Sequence, residues 1–223
     1  MFAKKLTGVA LLLVALLLTG CGGEIVTDLY VQDILDVVSG EEESLFTTAT
    51  ITLESPGEEY NEQLMSLIDQ NFRDAGNFRT TSQEFSTYIS VDVKVPIVLL
   101  DNHEALWSEE DSIGIVVMDL EDGDYGFGLA LNSYKLDEMF SALEEELWFS
   151  VGIEDFSFTV RLVNDLRESI NVLLQGVYAN NVPLAYEEIF EMARRDIIEI
   201  RLSDVLRDHA YEEWMVLIGV FGQ

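Results

Sequence analysis

Apolar and polar residues change their spacing several times along this chain, and each change marks an element. From Val26 to Val38 apolar side chains recur at Val26, Leu29, Tyr30, Ile34, Leu35, Val37 and Val38, close to the period of a helix. Asp28 can cap that helix and Gly40 can end it. Ala49, Ile51 and Leu53 then alternate with Thr50 and Thr52, the pattern of a half-buried strand. Ser55 and Glu58 stand at capping-box spacing, with Pro56 at the first helical position. They predict a helix that buries Tyr60, Leu64, Leu67, Ile68 and Phe72 and stops at Gly76. Ile89, Val91, Val93 and Val95 alternate with Ser90, Asp92 and Lys94, a second strand. Pro96 has no N–H to donate, so that strand must be an edge or bend there.

Asp101 to Glu110 is polar and reads as a loop, and Ile113 to Leu120 as a strand. Glu121–Asp122–Gly123–Asp124 contains Asp-Gly, a strong hairpin signal, and Tyr125, Phe127, Leu129 and Leu131 alternate on the return. Ser133 opens a helix with Leu136, Met139, Phe140, Leu143 and Leu147 on one face. Beyond Trp148 alternation takes over. Phe156, Phe158, Val160 and Leu162 mark one strand, Ile170 to Ala179 another, and Asn180–Asn181 suits a type I′ turn. Short strands carry Phe190, Met192, Ile198, Ile200 and Leu202 around Arg194–Arg195–Asp196. A short helical turn over Asp208–Glu213 precedes a last strand, Met215 to Phe221. The expectation is an α+β fold. Residues 28–148 form a mixed part, two or three helices packed on an antiparallel sheet, and residues 149–223 a mostly β part.

The first twenty residues fit neither part. Lys4 and Lys5 precede an apolar run that is densest from Leu11 to Leu18. Leu6 to Gly20 is only 15 residues, short of the roughly 20 that a membrane-spanning helix needs. This is the plan of an export signal over residues 1–20. It ends in Leu18–Thr19–Gly20–Cys21, which resembles the lipobox of bacterial lipoproteins. The resemblance implies diacylglycerol on the Cys21 sulfur, cleavage before Cys21 and an acylated new amino terminus. Residues 21–27 would then be a lipidated tether to a membrane. Gly22 stands where lipoproteins kept at the inner membrane of Gram-negative bacteria carry Asp. In such a host the resemblance implies the periplasmic face of the outer membrane. Cys21 is the only cysteine, so the remaining chain folds without a disulfide despite an oxidising compartment.

Charge narrows the partners. The chain has 42 acidic residues against 12 lysines and arginines, a formal −30, and loss of Lys4 and Lys5 with the leader takes it to −32. A surface of that sign repels nucleic acid and anionic lipid head groups. The expected partners are the membrane, through lipid on Cys21, and an envelope protein. No sequence pattern calls for a cofactor.

Candidate chemistry is sparse. His103 and His209 are the only histidines, and no zinc or nucleophile motif surrounds them. Asp119, Glu121, Asp122 and Asp124 are candidate calcium ligands on one short loop, without the spacing of an EF-hand. Arg194, Arg195 and Arg201 are expected to neutralise Glu191, Glu199 and Asp204 within the fold. The stretches Thr27–Asp28–Leu29–Tyr30, Arg194–Arg195–Asp196 and Arg201–Leu202–Ser203–Asp204–Val205 resemble small lipoproteins of unknown function from phage and proteobacterial genomes. That resemblance carries no catalytic residue. The sequence thus reads as a non-catalytic envelope lipoprotein. A calcium or small-ligand binder is the first alternative, and a cell-wall hydrolase that pairs two of its carboxylates is the second.

Overall fold

The computed structural model describes residues 22–83, 86–102, 111–120, 123–147 and 150–222. In chain order the first half holds β1 (Gly23–Tyr30), α1 (Val31–Ser39), β2 (Ser44–Ser55), α2 (Asn61–Asn71), β3 (Gly76–Gln83), β4 (Ser86–Leu99), β5 (Ile113–Asp119), β6 (Asp124–Leu131) and α3 (Ser133–Leu147). The second half holds β7 (Phe156–Val163), β8 (Ile170–Leu174), β9 (Val177–Ala179), β10 (Val182–Pro183), β11 (Glu188–Met192), β12 (Ile197–Leu202), α4 (Asp204–Glu213) and β13 (Met215–Gly222).

Two expectations at the start of the chain are corrected by β1. Ile25, Thr27 and Leu29 are buried, while Glu24, Val26 and Asp28 face the other way. Period two therefore rules from Gly23 to Tyr30, and the helix expected from Val26 begins only at Val31. Branched Ile25, Val26 and Thr27 suit a pleated surface. Nor are residues 23–27 a tether. They pair with Leu53–Ala49 of β2 on one side and with Phe156–Val160 of β7 on the other.

One sheet carries the fold, in the order β10-β9-β12-β7-β1-β2-β4-β5-β6-β13-β8-β11, with β3 added beside β4. Most neighbours are antiparallel, but β1 with β7 and β4 with β5 are parallel. The strands after residue 149 do not form a separate part. They flank the earlier strands on both sides, β7 beside β1 and β13 beside β6. Short connections then force the two margins together. Only Gln175 and Gly176 link β8, next to one margin, to β9, next to the other. Residues 184–187 likewise join the end strands β10 and β11. The sheet is therefore curled, with one large core inside it and a smaller cluster of Val98, Val116 and Ala130 apart from it. Ile25, Ile51, Val91, Ile115, Phe127, Phe158, Ile200 and Phe221 all meet in the large core, drawn from both halves of the chain.

Helices complete the core. Ile34 and Val37 of α1, Leu64 and Ile68 of α2, and Leu136, Met139 and Leu143 of α3 are buried in it. Gly40 ends α1 in the left-handed conformation as expected, but two N-terminal caps differ from those read in the sequence. The Ser55 hydroxyl binds Asn61 Oδ1 and the Gly57 carbonyl rather than closing a box with Glu58. Asn132, not Ser133, receives the first amides of α3, from Lys135 and Leu136. Pro96 resolves simply. β3 pairs with β4 up to Asp92 and β5 pairs with it from Ile97, so Pro96 falls in the gap between them, with β2 alone beside it.

On the outer face, Arg79 donates to both Asp92 oxygens, at 2.7 and 3.0 Å. Thr50 and Asn77 donate to the same carboxylate. The Arg79 hydrogen bond is the main reason its pKa falls from 3.8 to about 2. A folded value below the unfolded one means stability that is present above pH 3.8 and lost as pH falls through about 2. Solvent screens this half-exposed pair, so the contribution is about 1 kcal/mol. Asp92→Asn is expected to flatten that part of the acid-unfolding curve, measured by thermal melts across the same window.

Candidate functional site

The end of the sheet where β1 begins, called here the near end, holds the best-built polar site. Gly23 sits between β2 and β7. A Cβ there would lie 2.3 Å from the Phe156 ring and 2.8 Å from Leu53 Cδ2, so glycine leaves room for those two side chains. Gly22 lines a cavity of about 340 Å³ with Glu154, Asp155, Arg201, Asp204 and Arg207. One wall is a short 3-10 turn, Ile153–Asp155, in which the Asp155 carboxylate accepts the Gly152 N–H at 3.0 Å.

The other wall is α4. Ser203 caps it by accepting the Leu206 N–H at 3.4 Å, which starts the helix directly after β12. The first turn carries Arg207 under β7. There it donates to the carbonyls of Glu154 and Phe156 at 3.1 and 3.4 Å. It also pairs with Asp204 at 3.2 Å and Asp208 at 2.8 Å. A guanidinium so engaged is a clamp between α4 and β7. At the far end of α4, Tyr211 donates to Asp137 of α3. Burial, then this hydrogen bond, pushes its phenol well above the ordinary range.

Arg201 behaves differently. Its guanidinium lies 4.1 Å from the centre of the Tyr178 ring. The pairing expected of Arg194, Arg195 and Arg201 with Glu191, Glu199 and Asp204 does not form among the described residues. Asp204 turns to Arg207, while Arg161, opposite Glu199 in register, faces Asp28 at 3.3 Å. Arg194 and Arg195 are exposed on the turn before β12, where Arg195 takes φ 70°.

A second hollow of about 460 Å³ lies across α4 from the first. Leu173, Gly176, Ala185, Leu206, Leu217 and Val220 give it apolar walls, and Glu187 stands at its rim. Nothing in the sequence pattern pointed to it. Its walls come from four separate segments that meet only because the sheet curls.

Of the calcium candidates, Asp119 and Asp124 lie at the opposite, far end, where the Leu120 N–H donates to the Asp124 carbonyl. Glu121 and Asp122 lie outside the described residues, as do Cys21 and His103. His209 is exposed on α4. Among the described residues no three His, Cys, Asp or Glu side chains come together to hold a metal ion. The far end also gathers Asp33, Asp36 and Asp165. Burial, then the charges of Asp165 and Asp36, raises the Asp33 pKa, so its ionised form is disfavoured there. No helix among the described residues is long and apolar enough to cross a membrane.

The chain matches no curated protein and no solved structure. Residues 23–221, nearly the whole described fold, match one family, and the chain belongs to it: the domain of unknown function DUF7424.

Proposed function

We propose that this chain is a lipid-anchored envelope protein. Diacylglycerol on Cys21 holds it, and its acidic body serves as a surface for a protein partner rather than as a catalyst. The observation that carries this reading is a distance in sequence. Gly22 alone stands between Cys21 and β1, a strand paired on both sides in the interior of the sheet. The first described strand thus starts two residues after Cys21, close to where a cleaved, lipidated chain would start. The family match from residue 23 supports the same division between leader and domain.

The charge supports the need for lipid. A body at −32 is repelled by anionic head groups, so an anchor rather than electrostatic attraction must hold it at a membrane. Two or more acyl chains give stable anchoring where one gives only marginal binding. In a Gram-negative host, Gly22 after the cysteine points to the outer membrane.

Metabolic labelling tests the reading. Cells given radioactive palmitate are expected to label the wild-type chain, which sediments with membranes. Cys21→Ser is expected to lose the label entirely. Label retained in the serine variant, or a wild-type chain that takes none, overturns the proposal.

A further inference from the structure

We infer that the near end of the sheet, closed by α4, is the face that rests on the lipid bilayer. This builds on the anchored reading above and adds an orientation and a contact surface. The first observation is where apolar side chains are left in solvent. Among the described residues the four most exposed large ones are Tyr186 at 84%, Val205 at 77%, Tyr134 at 68% and Ile189 at 66%. All four belong to segments at the near end. Tyr186 lies in the connection into β11, and Ile189 pairs with Leu173, next to the near end of β8. Val205 is in the first turn of α4, directly after β12. Tyr134 is in the first turn of α3, which the Tyr211–Asp137 bond ties to α4. The other exposed ones, Val182, Phe46, Ile197, Leu217 and Tyr30, are less so, from 59% down to 39%, and Tyr30 and Ile197 stand at the far end.

The second observation is where the chain leaves the fold. Asp204 and Arg207 line the cavity that holds Gly22, and Leu206, on the same helical turn, lines the apolar hollow. The path to Cys21 therefore departs within one turn of α4 from that hollow. One residue spans at most about 3.6 Å, so Gly22 gives the body no reach away from the lipid. Tyrosine suits this position, because its ring is apolar and its hydroxyl takes water at a membrane interface. Charge sets the kind of lipid. Glu187, Glu188, Asp204, Asp208, Glu212 and Glu213 share this end, so it fits a zwitterionic head-group layer and not an anionic one.

A tether of known chemistry separates this inference from the question of lipidation in cells. Residues 21–223 contain the whole described fold and a single thiol. Cys21 can therefore be coupled to a maleimide lipid in phosphatidylcholine vesicles that also hold a lipid with a photoactivatable acyl chain. After illumination, adducts are mapped by peptide mass spectrometry. They are expected on peptides holding Tyr134, Tyr186, Ile189 and Val205. Val205→Asp, at so exposed a site, is expected to cut adducts on its own peptide several-fold without moving the melting temperature. Anionic phosphatidylglycerol in the same vesicles is expected to lower all of them. Adducts centred on Tyr30, on Leu99–Asp101 or on Asp119–Tyr125 overturn the inference. So do adducts no more frequent than with uncoupled protein. Failure of the palmitate experiment leaves this result untouched, since the tether here is synthetic.

Discussion

Replacing Asn164 with Ala is expected to lower the stability of the folded chain by about 3 kcal/mol. Asn164 follows β7 and is fully buried. Its side-chain amide donates to the carbonyls of Glu168 and Met192, both at 2.9 Å, and its Oδ1 accepts the Leu166 N–H at 3.1 Å. Its own N–H and carbonyl bind Asp196 and Arg195. One residue thus joins the connection from β7 to β8 with the connection from β11 to β12. Those connections lie where the two margins of the curled sheet approach each other. Alanine removes all three side-chain hydrogen bonds, and the one to the Met192 carbonyl is fully buried; a buried group left unpaired costs about 1–3 kcal/mol. Urea unfolding checks the size of the loss. The midpoint should fall while the slope stays the same.

Asn164→Asp sharpens this test. The carboxylate keeps an acceptor for the Leu166 N–H but turns a negative oxygen toward the Glu168 and Met192 carbonyls. It is expected to be no better than alanine at neutral pH. Folding disfavours its ionised form, so part of the loss should return as pH falls and the carboxyl protonates. A loss under about 1 kcal/mol in the alanine variant would mean that hydrophobic contacts alone close the seam.

Much of the fold was legible because burial writes a period into the sequence. The alternation at Ile89–Val95 and at Phe156–Leu162 marked strands buried on one face, and both are present. The Asp-Gly hairpin and the Asn180–Asn181 turn were legible through turn chemistry. Gly123, Asn180 and Asn181 all take positive φ. β1 was misread because Leu29, Ile34 and Val38 sit on a helical period that crosses the end of a strand. Pairing on both sides, which no local pattern records, decided against the helix. β3 was missed for the opposite reason. Its residues Gly76–Gln83 are mostly polar, and it pairs with β4 alone.

The curl was not legible, since strand order depends on contacts between residues far apart in sequence. The near end suffered most from this. Tyr134, Val205 and Tyr186 look like scattered apolar residues, unremarkable singly. They become one surface only when α3, α4 and the 184–187 connection are brought to the same end of the sheet. Arg207 was hidden too. It reads as one more surface arginine, yet it is 8% exposed and bonded to the carbonyls of Glu154, in the turn before β7, and of Phe156, at the start of β7. Cys21 was the reverse case. Its chemistry was readable from four residues, and it lies outside the described fold.

Three glycines of one hairpin should respond to alanine in three different ways, and their order tests how tightly the curled sheet is built. Gly128→Ala is expected to cost about 3 kcal/mol. Its Cβ would lie 2.5 Å from the Val216 carbonyl oxygen and 3.4 Å from Leu217 Cα, both backbone atoms of β13. No rotamer relieves that contact. β6 and β13 must part, beside the register shift between Leu217 and Gly219. Gly126→Ala is expected to cost less, about 1 kcal/mol, because its Cβ would meet the side chains of Met118 and Leu217 instead. Methionine in particular can move aside. Gly123→Ala meets nothing within 4 Å, but its φ of 82° is one that alanine resists, for a cost again near 1 kcal/mol. Thermal and urea unfolding of the three variants should rank Gly128 well below the other two in stability. Equal losses at Gly126 and Gly128 would show that β6 and β13 can move apart, and that the curl depends less on this strand pair than on the seam at Asn164.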